Sequence, residues 1–226
     1  MTTAPTPVVF IPALLCDEQL YREVIADMGA AITAMVMLSP KPSLQDSVAD
    51  ILARAPARFA LVGTSYGGNL ALAVALAAPE RVSALWLMGC NPGPPQPGGP
   101  DLAGGLDTTP DAVINMLSGL VVHPSASAAA ATFKAMAGRV GGAAGAAQAR
   151  ALGTRAEATS RLGALTMPAL VLWGEADTLV PVAVGSALAA ALPKARFQVL
   201  EGCGHLPTLE MPAACAASLR TLLAQI

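Results

Sequence analysis

The sequence alternates between short apolar runs and longer segments in which apolar residues recur at helical spacing. Short apolar runs are typical of strands buried on both faces, and the segments between them are long enough for crossover helices. The alternation therefore predicts an α/β fold, with parallel strands in one sheet and helices on both of its faces. Strands are predicted at Val8–Ile11, Ala34–Leu38, Phe59–Val62, Val82–Met88, Ala169–Trp173 and Phe197–Leu200, and helices at Asp17–Met28, Leu44–Ala55, Gly67–Ala78, Val182–Leu192 and from Pro212 to the end.

The alternation stops between Asn91 and Leu165, where no segment has the pattern of a strand. A Pro/Gly-rich stretch is followed there by alanine-rich helical pieces around 111–121, 125–138, 143–152 and 154–164. Because these pieces carry few large apolar side chains, they would make a weak core alone. We expect one domain over residues 1–226, with 92–166 inserted as a helical cap. A flexible Ala/Gly linker, mainly at 138–150, is the alternative.

The segment after the third predicted strand carries the most specific motif. The apolar run Phe59–Val62 leads into Gly63-Thr-Ser65-Tyr-Gly67, and a small-residue helix follows at once. This order of elements, a strand, then Gly-x-Ser-x-Gly, then a helix, is typical of a nucleophile elbow. In such a turn, tight backbone packing requires glycines around an exposed serine. The helix N-terminus behind the serine favours negative charge. We predict that Ser65 is a nucleophile.

A serine hydroxyl needs a general base, and the chain has only two histidines, His123 and His205. His205 lies in a Gly-rich loop between the last predicted strand and helix, where it can reach the sheet edge, so it is the predicted base. Asp177, which follows a strand, is predicted to stabilise the imidazolium, with Glu175 as its rival. The order Ser65, Asp177, His205 differs from the orders of the two main serine protease classes.

Two backbone N–H groups should hold the oxyanion that forms when a carbonyl is attacked. Tyr66, just after the nucleophile, is one predicted donor, and Leu14, in the loop after the first strand, is the other, with Leu15 as its alternative. Apolar residues near these positions are predicted to bind substrate, although packing between cap and core is the alternative for most of them. They are Leu15, Met116, Leu117, Leu120 and Val180.

Composition and charge narrow the function classes. A chain with 54% hydrophobic and 12% charged residues is not disordered, and its net charge of −2 includes no basic stripe for nucleic acid. The longest uncharged stretch, 112–133, holds several polar residues and Pro124, so we expect no membrane span. Residues 112–166 nevertheless carry a net charge of +4. Arginines there could grip an anionic substrate or lie on solvated helix faces.

The cysteines show no spacing typical of metal ligands or of a disulfide framework. They are Cys16, Cys90, Cys203 and Cys215. We expect free thiols in a reducing compartment, no metal and no organic cofactor. A targeting signal is not recognisable at the start, so the expected location is cytoplasmic. We expect a monomer or homodimer that acts on a small molecule, with neither nucleic acid nor membrane as partner.

Three segments together resemble the α/β-hydrolase fold superfamily over nearly the whole chain. They are Gly63-Thr-Ser65-Tyr-Gly67-Gly68, Trp173-Gly-Glu-Ala-Asp177-x-x-x-Pro181 and Gly202-Cys-Gly-His205-Leu-Pro-x-x-Glu210-x-Pro212. The resemblance is strongest to small bacterial carboxylesterases of the pimeloyl-carrier methyl ester esterase type. It implies about six mostly parallel strands, with the two usual N-terminal edge strands missing. Pro12-Ala13 stands where many members have His-Gly in the oxyanion loop.

The resemblance implies a serine hydrolase that cleaves short-chain carboxylic esters through an acyl-enzyme. A short cap would also leave room for bulky aliphatic polyesters. The first alternative is a thioesterase, carrier-ester esterase or lyase whose anionic substrate is held by the cap arginines. The second is a non-catalytic ligand-binding member of the fold.

Overall fold

The computed structural model describes residues 5–95 and 98–226 and contains a six-stranded sheet that is parallel throughout. The order of the strands is β2-β1-β3-β4-β5-β6. Their bounds are β1 Thr6–Ile11, β2 Ile32–Val36, β3 Phe59–Thr64, β4 Val82–Met88, β5 Ala169–Gly174 and β6 Ala195–Leu200. The predicted α/β fold with about six parallel strands is confirmed, and the predicted strands differ from these only at their ends.

Helices join the strands and cover both faces of the sheet. Their bounds are α1 Arg22–Met28, α2 Leu44–Arg54, α3 Tyr66–Ala77, α4 Leu102–Thr108, α5 Pro110–Ser118, α6 Ser127–Gly153, α7 Val182–Ala191, α8 Pro207–Glu210 and α9 Pro212–Leu223. Short 3-10 turns occur at Glu18–Tyr21, Gly29–Ala31, Pro79–Arg81 and Thr159–Ala164. The Ser43 hydroxyl accepts from the Asp46 N–H at 3.1 Å, which fixes the start of α2.

The sheet divides the interior into two apolar cores. Alternate residues of β1 serve each side: Val8 and Phe10 face the core under α1 and α9, whereas Val9 and Ile11 face the core under α2, α3 and α7. All residues of β3 and β4 are buried. Each large apolar side chain buried in this way contributes about 2 kcal/mol. This two-sided burial explains why the strands are apolar runs and not alternating patterns.

The described residues between β4 and β5 include three helices and one 3-10 turn joined by loops, and we call the segment from α4 to the turn Thr159–Ala164 the helical insertion. Helix α4 was not predicted. The linker alternative at 138–150 is wrong, because these residues lie in α6, which bends at Gly141 with a φ of +79°. The predicted helix Asp17–Met28 is also shorter, because the Asp17 carboxylate accepts from the Gln19 N–H and starts a 3-10 turn before α1.

The cysteines are free and buried, in agreement with the sequence prediction. Within the part of the chain that the structure describes, none of the helices is both long and apolar enough to span a membrane.

Candidate active site

Ser65 lies in the sharp turn between β3 and α3, as the motif predicts. Its backbone has a φ of +55° and a ψ of −115°, a conformation that residues other than glycine rarely adopt. Its N–H donates to the Met88 carbonyl at 2.7 Å, and its own carbonyl accepts from the Asn69 side-chain amide at 3.1 Å. These bonds hold the strained residue between the end of β4 and the first turn of α3.

The two glycines of the motif allow the backbone to pack closely at this turn. A Cβ at Gly67 would overlap the Ile11 carbonyl at the end of β1, and a Cβ at Gly63 would overlap the carbonyl of Gly67 itself. The turn can therefore form only where both residues lack a side chain. This geometry brings Ser65 next to the loop that follows β1.

His205 and Asp177 form a hydrogen-bonded pair at the ends of the last two strands. The distance from His205 Nδ1 to Asp177 Oδ2 is 2.7 Å, and both side chains are almost fully buried. Asp177 Oδ1 accepts from the N–H groups of Leu179 and Val180, each at 2.9 Å. Because Nδ1 faces a carboxylate, the neutral ring carries its proton there, and Nε2 is left as the basic nitrogen.

The end of β4 lies between Ser65 and His205. Met88 accepts the Ser65 N–H, and a Cβ on the next residue, Gly89, would lie 2.7 Å from His205 Cε1. Gly89 has a φ of +56°. The structure thus places Ser65 and the His205–Asp177 pair around the carboxyl ends of β3 to β6, and their catalytic roles stay a prediction.

Glu175 and His123, the alternatives to Asp177 and His205, have other partners, and two thiols near the site in sequence are protonated. The exposed Glu175 accepts from the Gly202 N–H at 3.2 Å, which fixes the turn after β6. The His123 Nδ1 lies 2.7 Å from the Ser125 hydroxyl. Burial raises the pKa of the Cys16 and Cys203 thiols well above their ordinary value, so both are protonated at neutral pH.

The two candidate oxyanion donors differ in what surrounds them. Leu15 has a φ of +60°, and its N–H donates to Gln148 Oε1 at 3.0 Å. For the Leu14 N–H, no acceptor is present among residues 5–95 and 98–226. Tyr66 is the first residue of α3, where a backbone N–H has no partner within the helix. Leu14 and Tyr66 therefore stay the predicted pair.

A buried tyrosine connects the two sides of this site, and no motif in the sequence marks it. The Tyr21 hydroxyl donates to the Ile11 carbonyl at 2.9 Å and lies 2.8 Å from Thr64 Oγ1, which must then donate to it. Burial raises the pKa of Tyr21 well above its ordinary value, so the hydroxyl keeps its proton. The bonds tie the residue before Ser65 to the strand before Leu14.

Glu210 holds the loop around His205. One carboxylate oxygen accepts from the N–H groups of Gly204 and His123, each at 2.8 Å, and the other accepts from Leu206 at 3.2 Å. The residues on both sides of His205 are thereby bound by one side chain. The same carboxylate attaches the helical insertion to this loop, because His123 belongs to that insertion.

The residues predicted to bind substrate differ in exposure. Leu15 and Leu117 are buried, whereas Met116 and Leu120 are 46% and 40% exposed. Val180 is partly buried, and its carbonyl accepts from Trp173 Nε1 at 2.8 Å. Contact with a substrate is untested for all five and stays a prediction.

Three arginines of the helical insertion have protein partners. Arg139 donates to the Asp17 carboxylate at 2.7 Å, and Arg150 pairs with Asp107. Arg155 donates to the carbonyls of Gly93, Pro94 and Leu152, each at 3.0 Å, and burial lowers its pKa. The remaining cations, Lys134 and Arg161, are exposed.

Comparison with known proteins agrees with this fold. The sequence model of the alpha/beta hydrolase family matches residues 18–218. The chain therefore belongs to the alpha/beta hydrolase family, and the resemblance inferred from its three motifs is confirmed. The structure is similar to that of a thermophilic esterase from Thermogutta terrifontis, with a TM-score of 0.87 at 20% identity over 99% of this chain and 91% of the other. It is also similar to the enol-lactonase of Burkholderia xenovorans, with the same TM-score at 18% identity over 99% and 92%.

Sequence relatives carry a more specific name. A 2-hydroxy-6-oxononadienedioate/2-hydroxy-6-oxononatrienedioate hydrolase from Cupriavidus pinatubonensis is 33% identical over 175 residues, which cover 66% of this chain and 56% of the relative. A protein of the same name from Paraburkholderia phymatum is 32% identical over 173 residues, with the same coverage. The chain thus spans a little over half the length of the curated relatives it matches.

Proposed function

We propose that this chain is a serine hydrolase that cleaves uncharged carboxylic esters, including lactones, through an acyl-enzyme on Ser65. The observation that carries the proposal is the buried 2.7 Å bond between His205 and Asp177, at the strand ends next to the Ser65 turn. A histidine held in this way has a basic nitrogen and a carboxylate to stabilise its charged form, as activation of a serine requires.

Each reaction step then has a residue. The Ser65 hydroxyl attacks the ester carbonyl while His205 Nε2 takes its proton, and the N–H groups of Leu14 and Tyr66 stabilise the oxyanion. The intermediate collapses when His205 returns the proton to the leaving alcohol. A water molecule, deprotonated by His205, then attacks the acyl-enzyme. The second intermediate collapses as His205 returns that proton to the Ser65 oxygen, which releases the acid and free Ser65.

The preference for an uncharged substrate rests on the helical insertion, which we propose is the cap over Ser65. A bound carboxylate needs a cation that is not already neutralised. Arg139 and Arg150 are paired with aspartates, and the donors of Arg155 face three backbone carbonyls. The engagement of these three arginines, which leaves the exposed Lys134 and Arg161 as the other cations of the insertion, favours a neutral ester over a thioester carrier or another anionic substrate.

A second candidate is cleavage of a carbon–carbon bond in a 2-hydroxy-6-oxo-dienedioate. The observation in its favour is the name shared by the sequence relatives at 32% and 33% identity. Such a substrate carries two carboxylates. The protein partners of Arg139, Arg150 and Arg155 count against it.

The test is a substrate panel on the wild type, Ser65→Ala and Ser125→Ala. The panel contains p-nitrophenyl acetate and butyrate, a neutral lactone, a thioester, an emulsified aliphatic polyester and 2-hydroxy-6-oxononadienedioate. We expect the wild type and Ser125→Ala, which changes an exposed serine, to hydrolyse the small esters equally, and Ser65→Ala to lose at least 10⁴-fold in kcat (order of magnitude). Turnover of the dienedioate without ester hydrolysis would select the second candidate, and binding without any turnover would indicate a non-catalytic member.

A further inference from the structure

Gln148 connects the helical insertion to the loop that follows β1. It lies on α6, its side chain is 1% exposed, and its Oε1 accepts the Leu15 N–H at 3.0 Å. The assignment of the amide is unambiguous, because a backbone N–H can only donate and therefore faces the oxygen. Gln148 is thus a buried polar side chain, distant in sequence, that binds the backbone beside a predicted oxyanion donor.

The loop that Gln148 binds is a β-turn in a strained form. The Cys16 N–H donates to the Ala13 carbonyl at 3.0 Å, which closes a turn with Leu14 and Leu15 at its centre. Leu15 has a φ of +60°, as in a type II turn, where this position normally requires glycine. A bulky residue there costs about 1–2 kcal/mol. The turn needs an external contact to keep this form.

The strain can be relieved if the peptide between Leu14 and Leu15 turns over, which gives a type I turn with a negative φ at Leu15. The Leu14 carbonyl and the Leu15 N–H would then exchange sides. Because this change rotates the backbone of both central residues, it would alter the shape of the loop that carries the Leu14 N–H. The bond from Leu15 to Gln148 exists only in the observed form, so it opposes this change.

A second contact from the same helix acts on the same residue. A Cβ on Gly145, three residues before Gln148, would overlap the Leu15 side chain. Helix α6 therefore lies directly against Leu15 through its glycine surface as well as through its glutamine. Both the side chain and the amide of Leu15 are held by one helix turn of the insertion.

We infer that Gln148 is a positioning residue, which holds the Ala13–Cys16 turn in the form that directs the Leu14 N–H at the oxyanion. The inference rests on the proposed function, because it assumes that Leu14 serves an oxyanion hole. Gln148 acts through the turn and makes no contact with the reacting atoms in this role. It therefore supports the transition state more than the binding of the ester.

The experiment compares Gln148→Met, which keeps the length of the side chain but removes the acceptor, with Gln148→Glu, which keeps an acceptor oxygen. Gln198→Met is the matched control, because Gln198 lies on the far edge strand β6 and its Oε1 accepts from the Ser218 hydroxyl of α9. The first measurement is kcat and KM for p-nitrophenyl butyrate. The second is the Ki of butylboronic acid, which forms a tetrahedral adduct on serine and so resembles the transition state. The third is titration of reactive Ser65 with a fluorophosphonate. Titration separates slow enzyme from unfolded enzyme.

We expect Gln148→Met to lower kcat per titrated site about 10- to 100-fold, part of the loss known for removal of one oxyanion donor. The KM should stay within about twofold, and the Ki of the boronate should rise as kcat falls. Gln148→Glu should recover most of kcat, and Gln198→Met should match the wild type. A kcat for Gln148→Met equal to that of Gln198→Met, or a rise in KM alone, would refute the role. If Gln148→Met fails to fold, Gln148→Asn, which shortens the side chain and withdraws the acceptor from the Leu15 N–H, is held to the same two outcomes.

Failure of the proposed function gives a different result. A wild type that hydrolyses no ester but binds the boronate would refute the esterase proposal, and the ratio of boronate Ki values would still test Gln148 without turnover. A wild type that hydrolyses esters, with Gln148→Met unchanged in kcat and Ki, would refute only the role of Gln148. A wild type that shows neither property would refute both.

Discussion

Gly89, which follows β4, leaves space for the His205 ring, so replacement by alanine perturbs the site with a single methyl group. The added Cβ would lie 2.7 Å from His205 Cε1 and 2.9 Å from its Nδ1. Ordinary contacts of a Cβ begin at 3.4 Å. Either the ring or the strand end must therefore move by about 0.7 Å, since van der Waals repulsion is steep at shorter distances.

The substitution has two costs of different kinds. With a φ of +56° at Gly89, a side chain destabilises the backbone by about 1–2 kcal/mol, which lowers the Tm of a chain of this size by about 2–8 °C. Movement of the ring disturbs the 2.7 Å bond to Asp177, and movement of the strand disturbs the Met88 carbonyl that holds Ser65. A displacement near 1 Å in a catalytic group costs about 100-fold in rate.

Gly29→Ala is the matched control. Gly29 has a similar φ of +51°, but a Cβ there would meet nothing within 4 Å, so its cost is that of the backbone alone. We expect both variants to lose stability in differential scanning calorimetry, and only Gly89→Ala to lose about 100-fold in kcat/KM for p-nitrophenyl butyrate. Equal activities of the two variants at comparable Tm would refute the placement of His205 as the base beside Gly89.

Three further predictions follow from the same geometry. Asp177→Asn keeps an oxygen for its two backbone donors but loses its charge, so kcat should fall about 10⁴-fold with little change in Tm; a loss below tenfold would exclude its assigned role. Glu210→Ala leaves three N–H groups without their acceptor, so the free energy of unfolding measured by urea titration should fall by about 3 kcal/mol. Glu210→Gln keeps one acceptor oxygen and should lose less. Equal losses in the two variants would contradict this account. Burial raises the pKa of the Cys90 and Cys215 thiols to about 12. Because the unfolded chain loses these protons first, stability should fall above about pH 9 by roughly 1.4 kcal/mol per pH unit for each thiol, and Cys90→Ala should show a flatter decline.

The sheet was predictable because its signal is local. A strand such as Val82–Met88 is buried on both faces, so all of its residues except Ser83 are apolar and the run is visible without knowledge of its neighbours. The insertion was harder, because its alanines and glycines satisfy helix and linker patterns equally. Helix α4 is the clearest case, because two glycines lie within it and weaken the helical pattern. Its local signal is Asp101, whose carboxylate accepts from the Gly104 N–H at the start of the helix.

The candidate site divides in the same way. Ser65, Asp177 and His205 each sit in a short motif after a strand, so sequence order alone predicted that they meet at one edge of a parallel sheet. Tyr21 and Gln148 have no motif, because their roles consist of single hydrogen bonds to backbone atoms distant in sequence. What the sequence does show is a single glutamine, Gln148, within an alanine-rich helical segment. If such a residue is buried by the fold, its polar side chain needs a hydrogen-bond partner, and this was the sign of its role.

The way in which strain is distributed indicates what each part of the chain does for the site. Leu15 and Ser65 are the only non-glycine residues with a positive φ in the described ranges 5–95 and 98–226, and such conformations persist only where the surroundings enforce them. Ser65 is held by the sheet and α3, through Met88 and Asn69. Leu15 is held by the insertion, through Gln148. The sheet therefore fixes the proposed nucleophile, whereas the insertion fixes the loop of the proposed oxyanion donor, so changes in the insertion should alter the rate even where they touch no substrate.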